Sequence, residues 1–155
     1  MFKLETEEDL LKAFRPRDRP LVERSPEVTF PLFVKHCFTW AHPAGGRVFL
    51  LFAVPGGAPT GIAFDTNGGG ASVAHLCDWC RVPGLGSRVG LLTTRLNSKK
   101  VVGVHVCSDL GCRQRLEDEA DRTGRSAVPA IQELIARMGA FASEGLDIDL
   151  TGVRR

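Results

Sequence analysis

The sequence predicts an α+β protein, a small antiparallel β-sheet with flanking helices, organised around two close pairs of cysteines. Three observations lead there. Short β-rich runs alternate with turn residues, Val128 to Ala142 carries a helical apolar stripe, and four of the five cysteines fall at metal-binding spacing. The 155 residues suit one domain with a buried core, and 43% apolar and 25% charged residues are ordinary for a globular chain. Glycine (17) and proline (9) together exceed their usual share of about 12%, which calls for many turns.

Taken in order, Thr6-Glu7-Glu8-Asp9 has the form of a capping box. Leu10, Leu11 and Phe14 follow at helical spacing, so a short helix is expected over about 7–14. Pro16 and Pro20 end it in a charged loop, Arg15 to Arg24. Val28 to Val34 is β-rich, but Pro31 confines it to an edge or irregular strand. A turn is expected over Trp40 to Gly46. Arg47 to Val54 is the strongest strand, and Pro55 to Pro59 loops back to a partner strand, Thr60 to Phe64. Gly68-Gly69-Gly70 reads as a flexible loop. Val89 to Leu96 and Lys99 to Cys107 form a hairpin turning at Asn97-Ser98. Ser108 or Asp109 is expected to cap a helix running to about Arg122, stopped by Thr123-Gly124-Arg125. Ile131, Leu134, Ile135, Met138 and Phe141 mark the buried face of the last helix, and Asp147 to Arg155 is expected to fray. The expected organisation is an N-terminal helix and hairpin subdomain over 1–70, a metal-bearing unit with a C-terminal helix over 71–145, and a tail over 146–155, the first two packed as one compact domain.

The cysteine pairs are Cys77-Asp78-Trp79-Cys80 and Cys107-Ser108-Asp109-Leu110-Gly111-Cys112. Zn²⁺ takes four thiolates tetrahedrally, a C-x2-C turn converges two sulfurs on one ion, and a second pair completes the set. Cys77, Cys80, Cys107 and Cys112 are therefore the candidate ligands of one structural Zn²⁺. The competing readings are a redox C-x-x-C, which opens a helix after a strand and needs no second pair, and four unrelated core cysteines. A catalytic zinc keeps an open position, which four thiolates do not leave. Cys37, among aromatic neighbours, reads as a small buried hydrophobe. His75 and His105 each lie two residues before a pair and read as polar strand-edge residues or as donors to the thiolates. A C-x2-C knuckle, a hairpin, and a helix whose first turn holds the last ligand is the element order of a treble clef, with the helix amides facing the negative site. Four thiolates and Zn²⁺ carry a formal −2, which takes the chain from its net charge of +2 to about zero.

These cysteines, with Val104-His105-Val106-Cys107-Ser108-Asp109-Leu110-Gly111-Cys112, resemble the treble-clef zinc-finger domain of the elongation factor G-binding proteins, which include the fusidic-acid resistance proteins of the FusB type. Thr39-Trp40-Ala41-His42-Pro43 before Val48-Phe49-Leu50-Leu51 looks like the family's Gly-Trp-x-Asp-Pro element, with Thr39 for the Gly and His42 for the Asp. The resemblance spans about residues 6–142. It implies a non-enzymatic role: binding elongation factor G and, in the resistance proteins, freeing it from stalled ribosomes. Those proteins add an N-terminal helical domain to the part resembled here. The acidic N-terminus, Met1 to Glu8, lacks the apolar stretch of a signal peptide, so a cytoplasmic location is expected.

Charge distribution offers a contact surface. Arg81, Arg88, Arg95, Lys99, Lys100, Arg113 and Arg115 fall in one stretch with a single acid, Asp109. Arg95, Lys99, Lys100 and Arg113 are the candidate partner-binding residues, toward elongation factor G, the ribosome or RNA. Against RNA stand the low net charge and the lack of aromatics interleaved with the basic residues. An enzyme is not expected. Gly84 to Gly90 misses the phosphate-loop pattern, and neither Gly-x-Ser-x-Gly nor His-Glu-x-x-His occurs. The longest apolar run, Val48 to Val54, is far short of the ~20 residues that cross a bilayer, so no membrane role is expected.

Overall fold

The structure is a computed structural model that describes residues 1–66, 76–82 and 89–151. Its middle layer is a five-stranded antiparallel sheet in sequential order: β3 (Cys37–Ala41), β4 (Arg47–Phe52), β5 (Thr60–Asp65), β6 (Val89–Arg95) and β7 (Val101–Cys107). A two-stranded antiparallel ribbon, β1 (Phe2–Leu4) with β2 (Leu32–Val34), accompanies it. The helices are α1 (Glu7–Ala13), α2 (Cys112–Thr123) and α3 (Val128–Ala140).

The continuous apolar run of β4 has a physical reason: both faces of the strand are buried. Val48, Leu50 and Phe52 point into one core with Ile62 and Phe64 of β5. Phe49 and Leu51 point into another with Ala63, Trp40, Leu10 and Phe14. The period-2 alternation of a strand divides one run between two cores. The second core packs α1 and the β1–β2 ribbon on the sheet. Phe14 meets the rings of Trp40 and Phe49 edge-on at 6.2 and 6.3 Å, and the Trp40 indole N–H donates to the Glu23 carbonyl at 2.9 Å. The first core receives α3 through Ile131, Leu134, Ile135 and Met138, each burial contributing about 1.5–3 kcal/mol as an upper bound.

The capping box forms as the sequence predicts: the Asp9 amide donates to Thr6 Oγ1 (3.2 Å) and the Thr6 amide to Asp9 Oδ2 (3.3 Å). The remaining strands and helices of the expected order are present, with four differences. Strand β1 was not anticipated; three residues carry no pattern, and pairing with β2 supplies their order. Strand β3 was not anticipated either: no strand was expected over residues 37–39 and a turn was expected from Trp40, but all five residues pair with β4 and the turn is confined to residues 42–46. Helix α2 begins at Cys112 and has Gly111 as its N-cap; neither Ser108 nor Asp109 caps it, since the Asp109 carboxylate accepts the Gly111 amide instead. Finally, residues 147–151 are docked. The Ala58 amide donates to the Leu150 carbonyl and the Ile148 amide to that of Ala142, both at 2.9 Å, and Ile148 and Leu150 pack on the first core. The triglycine stretch at 68–70 lies outside the described residues.

Among the described residues, β5 and β6 pair at Asp65 with Thr93. A second tie crosses the same seam. Arg15, in the loop after α1, pairs with the buried Asp18 at 2.8 Å and donates to the carbonyls of Arg95 (2.6 Å) and Leu96 (3.5 Å) and to Thr94 Oγ1 (3.3 Å).

Gly61 of β5 lies against the Phe14 ring: a Cβ there would sit 2.6 Å from three ring carbons. Both Phe14 and the sheet behind it are buried, so the ring has nowhere to retreat. Gly61→Ala is expected to destabilise the protein by about 1–3 kcal/mol, the cost of overpacking. Urea denaturation measures it, and Phe14→Leu in the same chain should recover part of the loss. Equal midpoints for Gly61→Ala and the parent would disprove the contact.

Candidate metal centre

The first cysteine pair lies in the connection between β5 and β6, and the second straddles the junction of β7 and α2. Cys77, Cys80, Cys107 and Cys112 are all buried, and their four sulfurs lie within 4.8 Å of one another. Cys77 and Cys112 are 3.6 Å apart, Cys80 and Cys107 3.7 Å. A tetrahedron with metal–sulfur bonds of about 2.3 Å has edges of about 3.8 Å, so the spacing fits one ion.

Each half of the cluster is shaped locally. In the first, the Arg81 amide closes the turn on the Cys77 carbonyl (3.1 Å), with Arg81 in the left-handed region at φ 56°. In the second, the Leu110 amide closes on the Cys107 carbonyl (2.9 Å), with Leu110 at φ 55°. Bulky residues adopt that conformation at a cost, which four converging ligands can offset. The amides of Cys80 and Cys107 both donate to the Cys77 sulfur at 3.4 Å. The Asp78 amide donates to the His105 carbonyl of β7 at 2.9 Å, holding the first turn against the hairpin that carries the second.

Trp79, inside the C-x2-C turn, is the anchor. Its ring is buried against Phe64 and Phe141 at 6.0 and 5.9 Å, and its carbonyl accepts from Arg137 Nη1 of α3 at 2.6 Å. The electrostatics favour a cation. Hydrogen bonds from the Cys107 and Cys112 thiols hold the Cys77 thiol well below its ordinary value, and the same sharing drives Cys112 far above it. Four close sulfurs cannot all ionise unaided; a divalent ion that replaces the shared protons lets them.

Of the other residues singled out from sequence, Cys37 stands apart from the cluster on β3, its thiol pushed up to about 11 by burial. His105 is half-buried on β7 opposite Leu91, and His75 lies outside the described residues. Arg95, Lys99 and Lys100 gather at the tip of the β6–β7 hairpin, all exposed. Asn97 orders that tip, its side-chain oxygen accepting the amides of Lys99 (2.8 Å) and Lys100 (2.9 Å). Arg113 is elsewhere. It follows Cys112 at the opposite end of the hairpin, roughly 20 Å away at about 3.3 Å per strand residue, and pairs with Glu117 at 3.2 Å. A contact that sequence did not reveal is the ion pair of Arg115 with Asp109, because the loop that brings them together has no periodic signature.

Elemental analysis of the purified protein should find one zinc per chain. Cys107→Ser and Cys112→Ser should lose it, and Cys37→Ser should keep it. Chelation should strip hydrogen-exchange protection from β6, β7 and α2 before β3–β5, whose second core contains none of the four cysteines. Simultaneous loss everywhere would instead mean a single cooperative unit.

No curated protein matches the sequence closely enough to serve as a relative. A family model does match, over residues 28–144, and those bounds take in all four cysteines, the whole five-stranded sheet, α2 and α3. Tetrahedral sulfur sites hold zinc or iron–sulfur clusters. The match decides for one structural Zn²⁺: the chain belongs to the FBP C-terminal treble-clef zinc-finger family.

Proposed function

We propose that this chain is a non-enzymatic, cytoplasmic zinc protein that binds a translation factor, elongation factor G, or the ribosome. Cys77, Cys80, Cys107 and Cys112 hold the metal, and the tip of the β6–β7 hairpin touches the partner. What carries this function is the family match, because the resembled elongation factor G-binding proteins contain this zinc-finger domain. The site agrees with a structural role: four buried thiolates fill the coordination sphere and leave no position for water or substrate.

The tip agrees with a protein partner. Arg95, Lys99 and Lys100 are exposed, and among the described residues no carboxylate pairs with them. Beside them Val101, paired across from Arg95, is 51% exposed. A basic surface with an apolar member suits an acidic protein face better than bare phosphates.

Immobilised protein should retain purified elongation factor G after RNase treatment. Reversing Arg95, Lys99 and Lys100 to Glu should slow association by about tenfold or more and flatten its salt dependence. Zinc content should stay unchanged and stability within about 0.5 kcal/mol. Unchanged affinity removes the tip from the interface. Retention of ribosomal RNA in place of the factor establishes an RNA-binding zinc finger instead.

A further inference from the structure

Strand β7 ends the sheet order, with β6 on one side. The hairpin fixes which of its backbone groups face the other side. The Leu96 amide donates to the Lys100 carbonyl at 2.9 Å, so residues 96 and 100 are a hydrogen-bonded pair. In an antiparallel ladder such pairs alternate with pairs that share no bond. Arg95 with Val101, Thr93 with Gly103 and Leu91 with His105 are therefore the unbonded pairs. The amides and carbonyls of Val101, Gly103 and His105 point away from β6. Two contacts agree: the His105 carbonyl accepts the Asp78 amide at 2.9 Å, and the Cys107 amide reaches the Cys77 sulfur at 3.4 Å. The C-x2-C turn thus closes the end of this edge nearer the cysteines. Toward the hairpin tip, the outward amides and carbonyls of Val101 and Gly103 have no partner among the described residues.

Open edges invite pairing, and chains ordinarily guard them with charges, prolines or bulges along the strand. Val101 to Cys107 reads Val-Val-Gly-Val-His-Val-Cys, without Lys, Arg, Asp, Glu or Pro. Its register with β6 runs through without a bulge. Val102, Val104 and Val106 belong to the first core, so Val101 and Gly103 lie on the opposite face, where both are exposed. A Cβ on Gly103 would lie 2.9 Å from Leu91 Cδ1, so Leu91 leans over the glycine and the face beside the open amides is apolar.

Charge selects the occupant. Arg95, Lys99 and Lys100 are exposed at the open end of the edge and favour a segment that carries carboxylates. A second copy suits the edge poorly. Antiparallel pairing would drive each tip against the other's C-x2-C turn, and parallel pairing would bring two sets of cations together.

We propose that the tip end of β7, through the outward backbone groups of Val101 and Gly103, takes an extended acidic segment of the protein partner as an added strand. Main-chain hydrogen bonds set the direction and register of that segment, and its carboxylates meet the cations of the tip. This deepens the partner reading above and rests on it.

Hydrogen exchange at single amides tests it, followed by NMR on the zinc-loaded full chain alone and with purified elongation factor G. In the free chain Val102 and Val104 should be protected, and Val101 and Gly103 should exchange freely. In the complex Val101 and Gly103 should slow by about tenfold or more, as newly bonded amides do. Val101→Pro removes an outward donor and no bond to β6, and should weaken the factor by about tenfold or more. Val101→Thr keeps that amide and should bind like the parent. If Val101→Pro does not fold, by zinc content and circular dichroism, exchange in the parent decides. A factor that binds while Val101 and Gly103 exchange as in the free chain overturns the added strand and leaves the tip contact standing. A parent that retains no factor overturns the partner reading, and the added strand with it. Protection of both amides in the free chain, with a dimer in sedimentation, overturns the proposal in favour of a second copy.

Discussion

Four sulfurs within 4.8 Å of one another fix three parts of the chain at one point: the turn after β5, the end of β7 and the start of α2. Much else in the C-terminal half depends on that closure. Among the described residues, the β6–β7 hairpin pairs with the rest of the sheet at Asp65 with Thr93. The C-x2-C turn lies in the connection between β5 and β6 and is held to the hairpin by the Asp78 amide on the His105 carbonyl. Structural zinc in small fingers contributes about 10–16 kcal/mol, which compares with the whole stability of an ordinary domain. An ion held by these four sulfurs therefore ties the turn after β5, the hairpin and α2 together with an energy of that order.

The closure is not isolated from ordinary packing. Trp79 sits inside the metal-binding turn yet belongs to an aromatic group with Phe64 of the sheet and Phe141 beyond α3. Arg137 reaches from α3 to the Trp79 carbonyl. The cysteines and the apolar face of α3 thus share one core. The other core, on the far side of the sheet, is built from the N-terminal segments and contains no ligand. Strand β4 divides its side chains between the two, so the strand is the common wall of both.

What was legible in the sequence was what depends on short-range spacing. The cysteine pairs, the capping box at Thr6, the stripe of α3 and the hairpin turn near Asn97 each declare themselves within a dozen residues. What was illegible depends on partners far along the chain. Strand β1 exists because Phe2 to Leu4 meets Leu32 to Val34, and the end of the chain is ordered because Leu150 finds Ala58. Trp40 read as the start of a turn because Pro43 and two glycines follow, yet its pairing with Phe49 keeps it in a strand. The basic stretch from Arg81 to Arg115 looked continuous in one dimension. The hairpin sends its two ends to opposite sites, and Arg113 and Arg115 are engaged by Glu117 and Asp109. Counting cations along a chain cannot show which of them are already neutralised.

Arg15 gives the hairpin tip a mechanical character. Its guanidinium is committed on one side to Asp18 and on the other to the carbonyls of Arg95 and Leu96. Swinging the tip away would break the bonds to the tip, while Arg15 stays paired with Asp18. The mostly buried guanidinium would then hold donors that have lost their acceptors, at about 1–3 kcal/mol for each one left buried and unpaired. The backbone beneath Arg95 is therefore pre-organised before any encounter. A surface already fixed in its bound shape loses little entropy on association, and each charge it presents counts more toward affinity than the same charge on a mobile loop.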